Sequence, residues 1–537
     1  MQEQFSMAEQ YSDRLSKWLA LFVVIIGTFM AILDSSIVNI AIPKMMAVFG
    51  VSLDEVKWIL TAYTLAMGAI IPLTGFLGDT FGNKKLYMFA LGMFTIGSLL
   101  CGFAWSNSTM ILFRVIQALG GGMIMPVGMS IIFQIFPKEE RGLALGFWGI
   151  ASMAAPAIGP TLGGFIIEQM DWRLIFNVNV PIGIFGVILA GILLKGTPRK
   201  PFKGFDYTGF FSSAIGIISI LYVLGEGYNI DWQDIKNPLL VAIGCFSLLI
   251  FVVNELYHPN PLLELRVFKI YNFTLSQIIS CVTTLALTGG IYVLPLFLQN
   301  IRGFTAMQTG LTLFWSAIAS GIMMPISGAL FDKFGAKIVT IPGLLLVAYT
   351  SYKLSFLDMN ISQQTIVWLT FLRGLGLGMC MMPINVSGMN AVPHHLVSKA
   401  SALSTTIRQI MMSISVTIIT TLMQGRLNLN YARLSEQITT FNQPATDAIK
   451  QIQAMFMQNG LTQGEAQSAA FSTLSGIIQR QAYIDAMNYA IAITTTTIVF
   501  AVILVLMIRE DKKEKLIKNP DEEEFLYESE SGLAIIE

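Results

Sequence analysis

The chain has 537 residues, of which 54% are hydrophobic and 12% charged, with a formal net charge of zero and a mean hydropathy of +0.65. Soluble proteins carry about 25% charged residues, so this composition excludes an ordinary globular protein and predicts a polytopic membrane protein. The balanced charge gives no indication of a nucleic-acid partner. The cysteines lie in apolar runs without CxxC spacing, which favours buried apolar positions over a redox or metal role; they are Cys101, Cys245, Cys281 and Cys380.

Fourteen segments are long and apolar enough to cross a bilayer as helices of about 20 residues. In chain order they are 18–42, 56–77, 85–105, 109–134, 142–167, 173–194, 208–225, 238–256, 273–299, 305–330, 337–355, 362–386, 399–423 and 486–508. The first is longer than the apolar part of a signal peptide and further spans follow it, so we interpret it as an uncleaved anchor. The sequence therefore predicts an all-α integral membrane protein with 14 transmembrane helices.

Asp34, within LDSSIVNIAIP at 33–43, is the carboxylate that lies well inside an apolar span. At 1.5 Å per residue it lies about 12 Å below the outer end of the first helix, and Arg114 lies about 8 Å below the outer end of the fourth. A pair at this depth is a candidate proton switch, because losing the attraction of the arginine changes the proton affinity of the carboxylate. The alternatives are a purely structural ion pair and an arginine that reaches the outer surface.

The loop after the second span, GFLGDTFGNKK at 75–85, recurs as GALFDKFGAK at 328–337, at a constant offset of 253. Its glycines permit a tight turn and close helix contact, while its acid can face a neighbouring helix N-terminus and its lysines can pair with acids. The recurrence favours a gate over a loop that only directs topology. The candidate gate residues are Gly75, Asp79, Gly82, Lys84, Lys85 and Asp332.

The repeat also divides the chain. Removing residues 204–257, which hold the seventh and eighth spans, lowers the offset from 253 to 199, or six helices of about 33 residues each. The pattern therefore indicates two six-helix halves joined by an extra helix pair, and internal repeats of this kind are typical of secondary transporters. The predicted organisation is a cytoplasmic N-terminus at 1–17, a first bundle at 18–194, a linker with the extra helices at 195–257, a second bundle at 258–508 and a cytoplasmic tail at 509–537.

The orientation follows from lysine and arginine. With both termini in the cytoplasm, 20 of the 33 basic residues lie on the cytoplasmic side, 10 on the outer side and 3 within helices, as the positive-inside rule requires. The three intramembrane cations are Arg114, Arg373 and Arg408, and the last two are candidate functional residues of the second half.

The fifth span contains GIASMAAPAIGPTLGG at 149–164. Its prolines remove backbone donors and bend the helix, while its small residues let a partner helix approach closely. Ordinary small-residue packing is the alternative to a functional role. The residues concerned are Pro156, Gly159, Pro160, Gly163 and Gly164.

The segment 424–485 is long for an outer loop. Asn459 and Gly460 mark a turn, Thr462 and Glu465 have capping-box spacing, and apolar residues recur at helical spacing on both sides. We interpret it as an amphipathic helical hairpin on the outer face, with a helix lying in the membrane interface as the alternative.

In combination these stretches resemble the major facilitator superfamily, and within it the fourteen-helix drug:proton antiporter family of the EmrB/QacA type. GFLGDTFGNKK resembles the loop between helices 2 and 3, RVIQALGGG the helix 4 motif linked to proton transfer, and AIGPTLGG the antiporter motif of helix 5. LDSSIVNIAIP, DWRLIFNVNVPIGI at 171–184 and ASALSTTIRQI at 400–410 are similar to stretches typical of the fourteen-helix branch. The resemblance covers about residues 15–510. Thr80 and Asn83 depart from the basic residues usual in the loop motif, which weakens the expected cytoplasmic ion-pair lattice.

The resemblance implies the major facilitator fold and a proton-coupled efflux antiporter of the bacterial cytoplasmic membrane. It would export lipophilic, cationic drugs by alternating access, as a monomer driven by the proton gradient without a metal or organic cofactor. The 29 methionines and 36 phenylalanines favour an adaptable pocket. Because three intramembrane arginines stand against one aspartate, export of anionic or amphipathic compounds such as fatty acids is the alternative. An adaptor protein stays an open question.

Two other classes are less well supported. The resemblance of the fifth span to the antiporter motif argues against a nutrient importer. The sequence has no HExxH, no Walker A loop and no intramembrane histidine cluster, so we expect a secondary active transporter and not an enzyme. His258, His394 and His395 all lie in predicted cytoplasmic loops.

Overall fold

The computed structural model describes residues 14–196, 204–227, 230–438 and 442–509. Within these ranges all regular structure is helical. Most of the predicted cytoplasmic N-terminus, most of the basic cluster at 194–204 and almost all of the predicted tail at 509–537 lie outside the described residues.

The first half contains eight helical segments. They are α1 (Arg14–Phe49), α2 (Leu53–Ile70), α3 (Leu73–Phe81), α4 (Asn83–Gly102), α5 (Asn107–Ile135), α6 (Arg141–Gln169), α7 (Leu174–Asn177) and α8 (Asn179–Leu193). The extra pair is α9 (Tyr207–Glu226) and α10 (Lys236–Tyr257). The second half contains α11 (Tyr271–Leu296), α12 (Ala306–Phe334), α13 (Ala336–Leu354), α14 (Gln363–Asn390), α15 (Val397–Glu436), α16 (Gln443–Gln458) and α17 (Gln463–Leu506).

Among the described residues, 12 helices are long and apolar enough to cross a membrane. The pair α2 and α3, which are bent by 54° at their junction, counts as a thirteenth if the two helices form one broken span. Pro72 stands at this break, and a proline there removes a backbone donor from the helical ladder. The 19-residue α13 occupies the place of the remaining predicted span. The count is therefore roughly consistent with the predicted 14.

The two halves pack against each other along two lines of helix contact. Along one line α6 packs on α12, and along the other α3 and α5 pack on α15. The extra helices pair with each other, and α9 also contacts α2 and α15. One apolar core joins the halves, since Phe133 and Trp148 of the first half belong to the same buried cluster as Phe273 and Met324 of the second.

Two helices of the second half are much longer than a bilayer requires. The 40 residues of α15 and the 44 residues of α17 correspond to about 60 and 66 Å, against about 30 Å of hydrocarbon. A hydrogen bond between Tyr431 and Ser475 of 3.0 Å joins the two helices well beyond their apolar parts. Between them lies α16, which turns into α17 at Gly460, where φ is +94°. The predicted outer segment 424–485 thus consists of the end of α15, α16 and about the first half of α17.

Candidate coupling site and gate

Asp34 of α1 and Arg114 of α5 form an ion pair in the first half. Arg114 Nη1 donates to Asp34 Oδ2 at 2.6 Å, and both side chains are 0% exposed. The structure therefore brings together the two residues whose depths along their helices match. Because the pair is fully enclosed, a proton or a ligand reaches Asp34 only after a change of conformation.

The other carboxylate oxygen is held by two amides. Asp34 Oδ1 accepts from Gln117 Nε2 at 2.9 Å and from Asn179 Nδ2 at 2.8 Å. With three donors on its two oxygens, Asp34 has the surroundings of an ionised carboxylate, which only accepts hydrogen bonds. Asn179 lies at the start of α8, so the carboxylate connects α1, α5 and α8.

Arg114 has further contacts that fix its orientation. Its Nη1 also donates to Gln117 Oε1 at 2.6 Å, and its guanidinium lies 3.8 Å from the ring centroid of Tyr63 on α2. Nε and Nη2 have no hydrogen-bond partner among the described residues. The arginine is thus enclosed by protein and does not extend to the outer surface, which argues against the surface-reaching alternative.

Sequence reasoning missed Gln117 and Asn179. Gln117 follows Arg114 by three residues, which places both on one face of α5, and this spacing is the signal that was available. Asn179 lies in the stretch 171–184, whose polar residues have the composition of a helix start. Neither amide carries a charge, so neither is conspicuous by its cost of membrane insertion.

The glycine–proline face of α6 packs directly beside Asp34. A side chain at Gly159 would collide with Ser36, and one at Gly163 would approach Ile37 Cγ2 to 3.1 Å. Ser36 Oγ also donates to the carbonyl of Pro156 at 3.4 Å. Of the other motif residues, Pro160 faces Gly310 of α12, while an added side chain at Gly164 would meet nothing within 4 Å. Four of the five predicted residues therefore lie at helix contacts.

The second copy of the gate motif links the two halves. Asp332 at the end of α12 accepts from the backbone amides of Gly142 at 2.9 Å and Leu143 at 3.0 Å. These amides open α6, whose own preceding residue supplies no side-chain cap. A carboxylate at a helix N-terminus satisfies orphan donors and interacts favourably with the helix dipole. The backbones of Gly142 and Gly328 touch here, since a Cβ on either glycine would collide with the other.

The first copy packs on the second half by close backbone contact. A Cβ at Gly75 would lie 2.9 Å from Lys399 Cα at the start of α15. Gly82 and Gly335 adopt the same positive φ, +87° and +86°, so both copies end in a turn that favours glycine. Lys84 donates to the carbonyl of Gly191 at 2.7 Å. The remaining gate residues, Asp79 and Lys85, are half-buried and exposed, respectively.

Asn83, which departs from the usual loop motif, is 2% exposed and joins a polar network. Its Nδ2 donates to Ser130 Oγ at 3.1 Å and to Gln134 Oε1 at 3.0 Å. Both partners contact Ser398 of α15, at 3.0 and 3.2 Å. Arg141 adds a bond from Nη1 to Asn390 Oδ1 of the second half at 2.8 Å. The neutral hydrogen bonds of Asn83, Ser130 and Gln134, together with the bond from Arg141, thus help to close this face, which we call the motif face.

Arg373 and Arg408 lack the partners that Arg114 has. Arg373 is 6% exposed and donates one long bond, from Nη2 to Leu287 O at 3.4 Å, while its Nε has no partner among the described residues. Its guanidinium lies where a side chain at Gly290 would be. Arg408 is half-buried, and its Nη2 lies 3.9 Å from Met125 Sδ of α5. In the described part of the chain no salt bridge involves either arginine.

The four cysteines are free thiols. In the described ranges no group of three or more histidine, cysteine, aspartate or glutamate side chains is arranged to hold a metal ion.

Comparisons with known proteins agree with this architecture. The family model of the Major Facilitator Superfamily matches residues 24–416 of this chain. The uncharacterized MFS-type transporter YhcA of Bacillus subtilis (strain 168) is 38% identical over 504 residues, covering 94% of this chain and 95% of its own length. The multidrug export protein EmrB of Escherichia coli (strain K12) is 30% identical over 444 residues, 82% of this chain and 86% of EmrB.

A solved structure supports the fold alone. The proton:xylose symporter XylE superposes with a TM-score of 0.59 and 12% sequence identity, covering 94% of this chain and 97% of XylE. The predicted all-α fold and the predicted family are therefore confirmed. The chain is a helical membrane transporter that belongs to the major facilitator superfamily, in the branch of the EmrB/QacA type.

Proposed function

We propose that this protein is a proton-coupled antiporter that exports lipophilic compounds across the bacterial cell membrane by alternating access. The observation that supports it most directly is the enclosed pair of Asp34 and Arg114, both 0% exposed. A buried ionised carboxylate is costly unless it is paired, so a carboxylate in this position is a natural proton carrier. The similarity to EmrB, a multidrug export protein, supports the same direction of transport.

Protonation of Asp34 would alter three helix contacts at once. A neutral carboxyl loses most of its attraction to Arg114, and its new O–H is a donor where Gln117 and Asn179 also donate. At least one of these bonds must then break or rearrange. Since the donors lie on α5 and α8, proton binding changes the contacts of α1 with both helices.

The change has a physical path to the motif face. The helix packed on the residues after Asp34 is α6, through Gly159 and Gly163. The first amides of the same helix bind Asp332 of the second half. A shift of α1 against α6 therefore acts on the contact that holds the halves together. In this proposal, a change in the protonation state of Asp34 switches the motif face between its closed and open states.

The experiment is transport by the purified full-length protein in proteoliposomes with an imposed pH gradient, using lipophilic dyes of positive, zero and negative charge. Asp34→Asn should reduce gradient-driven efflux of every transported dye to the rate seen without a gradient, while substrate exchange continues. Asp54→Asn is the matched control, because Asp54 is exposed and pairs with Lys57 on the surface. Full gradient-driven efflux by Asp34→Asn would refute the proposal.

The charge of the substrate and the partners of the protein are further proposals. Export of lipophilic cations follows from competition of a cation with the proton for Asp34, and it stays a prediction. We propose that the protein acts as a monomer in the cell membrane, with protons and small lipophilic substrates as its ligands and no metal or organic cofactor. A dye panel with all three charges tests the substrate class together with proton coupling.

A further inference from the structure

Arg408 occupies the middle of the membrane at the boundary between the halves. It lies 11 residues after the first residue of α15, or about 16 Å from the motif face in a hydrocarbon layer of about 30 Å. Its guanidinium contacts Met125 of α5, which belongs to the other half. The preceding residue, Ile407, packs against the core shared by both halves. The side chain is therefore directed between the halves.

The charge of Arg408 has no counter-charge in the described part of the chain. No charged group among the described residues acts on it. The sulfur atom of Met125 is only a weak acceptor and leaves the other guanidinium donors unused. A charge held at this depth without a counter-charge is costly, so intramembrane arginines normally face a partner or a polar space. Arg408 is half-buried at the boundary between the halves, so part of its side chain is accessible there.

The two buried arginines of the other sites differ from it. Arg114 is 0% exposed and bonded to Asp34, so a ligand from outside does not reach its unused donors in this conformation. Arg373 is 6% exposed and lies against Gly290 within the second half. Arg408 thus combines a free donor set with exposure at the interface, the place where the two halves separate during alternating access.

The donor geometry indicates the class of ligand. A guanidinium presents a planar fork of N–H groups that matches the two oxygens of a carboxylate. The contact with Met125 adds an adaptable, polarizable surface suited to an apolar chain or ring. A compound with one carboxylate and an apolar body satisfies both features.

We infer that Arg408 binds the carboxylate of an amphipathic organic anion during transport. This inference rests on the proposed export function and specifies one class of its substrates. The anion site and the proton site lie on different helices of different halves, so anion and proton bind without excluding each other. A cation, in contrast, competes with the proton at Asp34. An inorganic anion such as chloride shares the same chemistry and must be separated by experiment.

Binding to the full-length protein in nanodiscs at alkaline pH tests the assignment, with empty nanodiscs as background. The probes are dodecanoate, its uncharged methyl ester and dodecyltrimethylammonium, which share one apolar chain. Arg408→Gln should weaken dodecanoate binding about ten-fold or more and change the other two less than two-fold. The dodecanoate affinity of Arg408→Lys should lie between those of the wild type and Arg408→Gln, because lysine keeps the charge without the planar fork of donors. Arg433→Gln, at an exposed position on the same helix, is the control.

Equal weakening of all three probes would show a merely structural role for Arg408, and unchanged dodecanoate binding would exclude the site. Radiolabelled chloride is the second arm. Binding of chloride that depends on Arg408, together with dodecanoate binding that does not, would overturn the assignment to organic anions. Failure of either kind leaves proton-driven export by the wild type intact, whereas failure of the proposed function appears as efflux by Asp34→Asn that still follows the pH gradient.

Discussion

The halves of this transporter treat their buried arginines in opposite ways. In the first half Arg114 has a carboxylate at 2.6 Å, an amide partner and an aromatic ring. In the second half Arg373 has one long bond to a carbonyl, and Arg408 has one contact with a sulfur atom. Repeated architecture therefore does not imply repeated chemistry. One half encloses a charge pair suited to a proton, and the other leaves positive charge available.

The gate shows a second difference between the halves. The second copy of the motif holds the first half by a charge, through Asp332 on the amides of α6. The first copy reaches the second half by backbone contact at Gly75, beside the uncharged network of Asn83 and Ser398. The second copy thus contributes an electrostatic contact to the motif face, and the first copy contributes a packed contact beside a hydrogen-bonded network. Substitutions at the two copies should accordingly weaken the closed face for different physical reasons.

Breaking the pair in the first half should have the largest effect. Arg114→Gln leaves Asp34 buried without its cation, which costs about 3–5 kcal/mol, so we expect clear thermal destabilisation and loss of gradient-driven transport. The double variant Asp34→Asn with Arg114→Gln should recover most of the stability but not the transport. Thermal unfolding in detergent and proteoliposome transport measure the two quantities. Equal stability of the single and double variants would contradict the pairing.

The second-largest effect is expected from a side chain added at the glycine contact between the halves. A Cβ at Gly328 collides with the backbone of Gly142, so Gly328→Ala should shift the population away from the closed motif face by about 1–3 kcal/mol. A single cysteine at Ser398, in an otherwise cysteine-free protein, should then react faster with a maleimide. Gly164→Ala is the control, since that position has free space around it. Unchanged labelling by Gly328→Ala would show that the motif face does not open here.

Neutralising the electrostatic contact should have a smaller effect. Asp332→Asn keeps a group that can cap α6 but removes its charge. We therefore expect the free-energy preference for the closed motif face to fall by about 0.5–1 kcal/mol. Increased salt should lower the preference of the wild type for the closed face only slightly, because the Asp332 contact is partly buried and therefore weakly screened. The same labelling assay at Ser398 measures it. A shift as large as that of Gly328→Ala would mean that Asp332 does more than cap a helix.

The smallest effect is expected at Arg373, where the contrast with Arg114 is sharpest. Arg373→Gln removes a charge that balances no carboxylate among the described residues, so no new unpaired charge is created. The free energy of unfolding should change by less than about 1 kcal/mol, and proton-driven transport should stay within about two-fold. Thermal unfolding beside Arg114→Gln decides this. Destabilisation equal to that of Arg114→Gln would point to a partner that binds Arg373 during folding or transport.

Much of the fold was predictable because hydrocarbon thickness fixes the length of an apolar helix, so the positions of the spans follow from composition. The meeting of Asp34 and Arg114 was predictable for a related reason, since the rise per residue fixes depth. Depth does not fix which way a side chain points around its helix. The amides of Gln117 and Asn179 therefore stayed unpredicted, although they supply two of the three donors to Asp34.

Other features had no signal in apolar length. The prediction ended the thirteenth span at residue 423, because polar residues follow, yet α15 continues to Glu436. A helix leaves the bilayer without ending when its backbone bonds remain satisfied. The role of Asn83 was equally hidden, because an asparagine in place of a basic residue looks like a loss. In the structure it connects instead to Ser130 and Gln134 by neutral hydrogen bonds.

Because α15 and α17 are continuous over their whole length, a small rotation of either helix in the membrane produces a large displacement at its far end. Both helices run from the membrane without a break into the region around Tyr431 and Ser475, where they are joined. If α15 turns by about 10° about the middle of the membrane, its far end, roughly 45 Å away, moves by about 8 Å. A binder clamped on that end from outside would therefore resist the transport cycle without entering the substrate path.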